Sequence, residues 1–399
     1  MATIIPFQPL RYTAKAGDPA TLLTQPYDKI SPEMRARYLA ANPYNLVRII
    51  LGEAQADDND SNNIYTRGAA YLNQWIKEGI LAKDPAPGFY AYFQEFEVPD
   101  TGEKAVRQGF IGLGKVEDYS AGIVYRHEQT LSGPKKDRLQ VLRHTHAHFG
   151  QIFMLYPDRE GAVDAVLSKA SQGAPVLDVV DEYGARHRVW AISDPTTTAQ
   201  LQSLMADKKL LIADGHHRYE TSLNYRNENP NDPAAAYVMM TFVNMYSPGL
   251  RILATHRVLR NLEHFDAADL LRKVEQASNP ASSGKSCRIR VVTAQGEAVY
   301  TRPVADGELD VPILHQELLG GLLGINEEAV RNEKHIKYVR GAEAAIAEVK
   351  QKGAQVAFLL DPTPMDDMAR IAFGGGVMPQ KSTDFYPKLL TGATIYKLD

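Results

Sequence analysis

A single cysteine, Cys287, stands among 399 residues, so an internal disulfide framework is excluded. Cysteine usage this sparse fits a reducing compartment, and a cytoplasmic location is the expectation. Long apolar runs are missing as well. The longest, AAAYVMMTFVNMY, is about half of what a membrane span requires and reads as a buried strand. The opening residues MATIIPFQPLRYTAKAG lack the charged-then-apolar pattern of a secretion signal. No cluster of Lys and Arg rises above a formal net charge of -4, and no helix-turn-helix with a basic face is recognisable. These absences argue against membrane and nucleic-acid partners, so an anion bound by this chain is expected at a local site.

What is present describes an ordinary globular protein, with 44% hydrophobic and 23% charged residues and length enough for two domains. Turn residues flanked by β-rich runs predict three hairpins. FYAYFQEFEV turns into VRQGFIGLGKV, VLDVV into RHRVWAI, and CRIRVV into AVYTRPV. Helical periodicity alternates with them. Ile64, Gly68, Leu72, Trp75 and Ile76 line one face of a helix that Gly79 stops. Further helices are expected in PKKDRLQVLRHTHAHF, with Pro134 at its first position, in PTTTAQLQSLMADKK and in GAEAAIAEVKQKG, and a strand in AQVAFLL. The mixture predicts an α+β fold. The softest boundary, SNPASSGKS at 278–286, divides the chain into a core of residues 1–275 and a smaller α/β part of residues 286–399.

The stretch KLLIADGHHRYETSLNYR carries the strongest chemical signal. A strand ending at Ala213 and a helix starting near His216 leave the first helical N–H groups unpaired, and with the helix dipole they favour an anion. Gly215 permits a tight turn and a close approach, and Asp214 suits an N-cap. His216, His217 and Arg218 add donors at the same point, Arg218 with the fork that matches phosphate oxygens. A metal shared by the two histidines fits poorly, because adjacent helical residues point about 100° apart.

Other stretches offer supporting groups. In RHEQTLSGPKKDR, Glu128 can take a proton or hold a divalent cation, and Lys135 and Arg138 lie in the first turn of the following helix. Asp28 sits in TQPYDKISPE between a proline-fixed turn and a Ser-Pro helix start. The Thr255-His256-Arg257 triplet reads either as a strand end facing the same cleft or as a surface edge. GGGVMPQKSTDFYPK fails the phosphate-loop pattern, because Gln380 stands where that loop needs glycine and Pro379 removes an amide. It leaves Lys381, Ser382 and Thr383 as a basic, hydroxyl-rich loop able to reach a site. On the helix expected over HTHAHF only His144 and His148 share a face, and no third metal ligand is identifiable.

PYDKIS, HEQTLSGPKKDR, IADGHHRYET, NMYSPGLRILATHR and MPQKSTDFYPK resemble, in this order, the boxes of the domain of unknown function 1015 family. The resemblance runs from about Ile5 to the last residues. Gln25 and Ala254 depart from it, each standing where the family favours proline. The Gly-His-His-Arg box is in turn similar to the Gly-x-x-Arg box of the ParB and sulfiredoxin-like superfamily. Members place that box at a helix N-terminus on nucleotide phosphates, and among them are CTP-binding partition proteins, ATP-using sulfiredoxins and an ADP-dependent kinase of free serine.

The resemblance implies a ParB/sulfiredoxin-like core with hairpin insertions and a nucleotide, ATP or ADP, at Asp214, Gly215, His216, His217 and Arg218. Lys135, Arg138, Arg257, Lys381, Ser382 and Thr383 are the expected helpers. Mg²⁺ is expected on Glu128 or Asp214. The leading expectation is a phosphotransferase acting on a small hydroxylated metabolite, free L-serine first, with Asp28 or Glu128 handling the hydroxyl proton and Arg218 neutralising charge. The alternative is a non-catalytic CTP- or ATP-binding switch. A nuclease is weaker still, since clustered carboxylates for paired metals are not found in the sequence.

Overall fold

The computed structural model describes residues 2–128, 132–280, 283–305 and 307–398. Its centre is a nine-stranded sheet in which most neighbours run antiparallel, and this gives the α+β fold. The predicted hairpin Phe89–Glu97 with Lys104–Lys115 forms its middle. Leu177–Val180 and Arg186–Ile192, the second predicted hairpin, extend it on one side. On the other side Tyr237–Asn244 pairs antiparallel with Lys104–Lys115 and parallel with Ile152–Tyr156. Leu210–Asp214 follows, antiparallel to Ile152–Tyr156 with an irregularity between Ile212 and Asp214, and Val124–Tyr125 closes that edge.

Both faces of the central strands are buried, which is why Ile152–Tyr156, Leu210–Asp214 and Tyr237–Asn244 read as continuous apolar runs, whereas Arg186–Ile192 toward the edge keeps an alternation. Leu210, Ile212, Met154 and Met240 pack on one face with Val163, Leu167, Leu201 and Tyr219 from three helices. Those helices are Ala162–Ala170, Pro195–Met205 and His216–Glu228. Leu211, Ala213, Phe153 and Met239 pack on the opposite face with Met368 and Ala372 of the helix Met365–Phe373, and with Phe385 and Leu389 near the C-terminal end.

A second sheet of five strands has the order Gly296–Pro303, Ser286–Thr293, Val356–Leu359, Thr255–Leu259, Ile336–Arg340. It contains the third predicted hairpin and the predicted strand in AQVAFLL. The stretch 278–286, of which 281–282 lie outside the described residues, links the helix Ala267–Ala277 to Ser286–Thr293. Thr255–Leu259, before that stretch, already belongs to the second sheet. The last residues run back along the N-terminal part of the chain in small pairings outside the nine-stranded sheet: Asp384–Tyr386 pairs with Arg251–Leu253, Thr391 bridges Thr24, Ile395 bridges Leu10, and Tyr396–Lys397 pairs with Ala147–His148.

Local signals account for the helix ends. Asn63 and Thr66 form a capping box at the start of Ile64–Lys77, whose Gly68 lets the chain pass against the Ile49 carbonyl. Two expectations need correction. The helix in the HEQTLSGPKKDR box spans Ser132–Thr145 and so begins two residues before Pro134; residues 129–131 of the box lie outside the described residues. That helix also stops short of His148. His146 adopts a left-handed φ of 47°, and Ala147–His148 becomes a strand that the C-terminal segment pairs with. Burial of Ala147 and Phe149 beside Trp75 and Ile395 favours the strand over another helical turn.

The C-terminal segment is gripped by a buried cation. The Arg107 guanidinium lies over the Phe153 ring and donates to the Gln94 side chain, to the Tyr386 carbonyl at 3.2 Å and to the Pro387 carbonyl at 2.5 Å. Gln94 in turn donates to the Lys388 carbonyl at 2.8 Å. Burial pulls Arg107 down to about 9, so it keeps its charge at neutral pH. Arg107→Ala strands these buried acceptors and should lower stability by at least about 2 kcal/mol. Urea unfolding measures that loss, and limited proteolysis should cut earliest between residues 384 and 390.

Candidate functional site

The strand Leu210–Asp214 ends at the turn that starts the helix His216–Glu228. Gly215, not Asp214, occupies the N-cap, with φ at 94° in the region glycine alone adopts easily. A Cβ there would lie 3.0–3.1 Å from the Arg218 guanidinium. Asp214 remains the last strand residue. Its carboxylate faces Arg218 Nη2 at 3.5 Å and Lys388 Nζ at 3.8 Å in place of capping the helix.

Around this turn lies a cavity of about 200 Å³. Asp28 and Lys29 enter it from the short turn Tyr27–Lys29. Glu128 enters from a bridge to Met378, and Asp214 to Arg218 from the strand–helix turn. Lys381, Thr383 and Lys388 come from the C-terminal segment, and Glu333 from the second-sheet unit. The structure therefore brings together Asp28, Glu128, Asp214, Gly215, His216, His217, Arg218, Lys381 and Thr383, which lie far apart along the chain.

The MPQKST segment is fastened against the turn by His127. This fully buried ring donates from Nδ1 to the Ile212 carbonyl at 2.7 Å, and its Nε2 accepts from the Thr383 hydroxyl at 2.9 Å. Burial pulls His127 down to about 4, so it is neutral and can accept that bond. His216 packs edge-on against it at 4.7 Å, and its buried Nε2 has no hydrogen-bond partner among the described residues.

Other expected helpers lie elsewhere. Arg257 is fully buried behind the C-terminal loop, donating to the carbonyls of Thr255 and Lys381, and so positions Lys381 from the rear. Ser382 is buried with its hydroxyl donated to the Pro379 carbonyl. Lys135 pairs with Glu220 at 2.8 Å. Arg138 stacks on Tyr27 at 4.1 Å from the ring centre and pairs with Asp137. None of these four lines the cavity. Sequence reasoning missed Lys29 and Lys388, although each stands inside a quoted box, directly after Asp28 and in DFYPK.

The charges in the cavity are tightly coupled. Burial alone would raise the Asp214 carboxyl, but Lys388, Arg218 and Lys29 hold it well below the usual range. Burial would lower Lys388, yet Asp214, Asp384 and Asp28 keep it raised. Lys29 is pulled down by burial and by repulsion from Lys388 and Lys381. An anion entering beside these lysines relieves that repulsion. Glu128 goes the other way, pushed up to about 7 by burial against the pull of Lys381.

Among the described residues, no group of three or more His, Cys, Asp or Glu is placed to hold a metal ion. Mg²⁺ needs only one or two carboxylates when phosphate oxygens complete its shell, and Glu128 and Asp214 fit it in that form alone.

Fold and cavity thus describe an α+β protein with a charged cleft at a strand–glycine–helix turn. The chain belongs to the family described as "Protein of unknown function (DUF1015)", whose model matches residues 4–335. No curated protein matches it in sequence. Among solved structures it is similar to a mutant free serine kinase in complex with ADP, at 8% identity and a TM-score of 0.36, covering 69% of this chain and 89% of that one. It is also similar to a conserved hypothetical protein from Pyrococcus furiosus, at 10% identity and a TM-score of 0.36 over 69% and 92% of the two chains. SbnI with C-terminal truncation from Staphylococcus aureus shows 10% identity and a TM-score of 0.38 over 70% and 85%. Among the described residues no helix is long and apolar enough to cross a membrane.

The raised Glu128 sets a pH signature. Between the ordinary carboxylate range and about 7 the folded state binds more protons than the unfolded state, so this group's contribution to stability falls as pH rises. Glu128→Gln should therefore gain stability over the parent as pH climbs from about 4.5 to about 7, with a constant difference above that. Thermal unfolding of both proteins across this range checks it.

Proposed function

We propose that this protein transfers a phosphoryl group between a nucleotide, ATP or ADP, and a small hydroxylated metabolite, with free L-serine the first acceptor to test. The observation that carries this reading is the convergence of Arg218, Lys29, Lys381 and Lys388 with Asp28 and Glu128 around one helix start. Phosphoryl transfer requires positioned phosphates, neutralised charge and a group that orients the hydroxyl, and little covalent chemistry from the protein.

In this reading the backbone N–H groups after Gly215 hold phosphate oxygens, and Arg218, whose Nη1 donates to the Gln151 carbonyl at 2.6 Å, adds its charge and its remaining N–H donors. Lys381 and Lys388 offset the charge that moves toward the leaving oxygen. The acceptor hydroxyl attacks phosphorus, the bond from phosphorus to the nucleotide oxygen breaks, and the hydroxyl proton passes to a carboxylate. Glu128, pushed up to about 7, is suited to take that proton and to return it when the reaction runs backwards. Asp28, which lines the same cavity, would orient the hydroxyl or share that task. Mg²⁺, bound between phosphates and Glu128 or Asp214, would supply further charge neutralisation.

The test mixes purified protein with Mg²⁺, ATP, ADP or CTP, and a panel of hydroxy amino acids, and follows phosphorylated products by mass spectrometry. Serine-dependent nucleotide consumption supports the reading. Tight nucleotide binding without turnover on any acceptor sinks it in favour of a binding switch. Arg218→Ala should weaken nucleotide binding at least about a hundredfold, the loss of a charged contact beside the phosphates. Asp28→Asn and Glu128→Gln should leave binding within a few-fold of the parent, and at least one of them should cut turnover about a hundredfold or more.

A further inference from the structure

Beside the charged cavity lies a second one of different chemistry. It measures about 260 Å³ and meets the first at Gln380, which lines both. Its walls include Pro312, Val330, Val377 and Met378, with the Tyr338 ring and the His315 imidazole among them. No Lys or Arg is among its described lining residues, whereas Lys29, Lys381, Lys388 and Arg218 line its neighbour.

We infer that this cavity receives the base and ribose of the nucleotide whose phosphates occupy the Gly215–Arg218 turn. The inference rests on the nucleotide reading above and assigns the second-sheet unit a part in it. A nucleotide is a planar, weakly polar body joined to a polyanion, and two adjoining cavities, one lined by four cations and one, among the described residues, by no Lys or Arg and a single carboxylate, Glu327, match its two halves. The segment Met378–Lys381 runs along the junction, with Met378 bridged to Glu128 and the Lys381 carbonyl held by Arg257.

The polar equipment suits a base. His315 Nε2 is buried with no hydrogen-bond partner among the described residues, and such an atom is costly unless a water or a ligand satisfies it. Burial, and then the Arg257 charge, pull His315 down to about 4, so it meets a ligand as a neutral ring and adds no charge. It sits in a π-helical stretch, Leu314–Leu322, a geometry frequent at functional positions. Tyr338 offers an aromatic surface steadied by the Arg257 guanidinium, 5.3 Å from its ring centre. Stacking on such a ring tolerates any base, so His315 and Gln380 would carry whatever selectivity there is.

The test compares nucleotides with a probe that lacks base and ribose. Isothermal titration measures ATP, GTP, CTP and inorganic tripolyphosphate, each with Mg²⁺, on the parent, on Gln316→Trp and on His315→Ala. Gln316 is exposed at the cavity's edge, so tryptophan there should obstruct it without disturbing the core. The expected result is that the tightest nucleotide loses about tenfold or more in Gln316→Trp while tripolyphosphate stays within twofold, and that His315→Ala narrows the differences among the three nucleotides. Equal losses for nucleotide and tripolyphosphate, or no loss in either variant, overturn the assignment. So does a parent protein that binds tripolyphosphate as tightly as any nucleotide, a result that leaves the phosphate cradle standing. A parent that binds none of the four, nor ADP titrated in the same way, removes the nucleotide reading itself, and this inference with it.

Discussion

The candidate site depends on one buried chain of charges. Lys388 is almost fully enclosed, and an ammonium in that position would lose its proton without compensation. Asp384 at 3.1 Å and Asp214 at 3.8 Å keep it charged, and Arg340 at 2.5 Å completes the neutralisation of Asp384. The chain joins the second sheet through Arg340, the C-terminal segment through Asp384 and Lys388, and the central sheet through Asp214. Removing one member would leave the others buried and uncompensated, a far larger cost than the net worth of any single pair. The arrangement constrains geometry more than it adds stability.

That constraint explains how distant stretches meet at one turn. The central sheet is covered on both faces, so its interior offers no room for a ligand, and chemistry is confined to strand ends. At the end of Leu210–Asp214 the C-terminal segment crosses, held from below by Arg107 and Gln94, from the side by His127, and from behind by Arg257. Each of these residues is buried and works on backbone carbonyls or a hydroxyl. They form a frame for Lys381, Thr383 and Lys388, which are the groups left facing the cavity.

Much of the local structure was legible from residue order. The three hairpins, the Asn63-capped helix and the strand–Gly–helix turn follow from alternation, periodicity and turn chemistry, which are short-range properties. The helix expected through His148 was not legible, because its last residues are claimed by a strand more than two hundred residues away. Arg257 was misleading for a related reason. In sequence it is a cation after an apolar run, and only the packing of the 379–383 loop over it shows that its fork serves carbonyls. Lys29 and Lys388 carry no local mark separating them from surface lysines, since only their neighbours in the packed chain, and for Lys388 its burial, distinguish them.

The amino-acid sequence by itself determined the strand–Gly–helix turn that leaves the first helical N–H groups unpaired and sets Arg218 beside Gly215. Gly215 and the flanking apolar strand dictate that geometry whatever surrounds them. Tertiary structure decided which carboxylates and lysines share the turn, and how strongly each is charged. Proximity across hundreds of residues, and the loss of water that comes with it, are properties of the packed chain. The Asp-Gly-His-His-Arg box therefore fixes the turn on its own, while the charged neighbours that share its cavity are chosen by the fold.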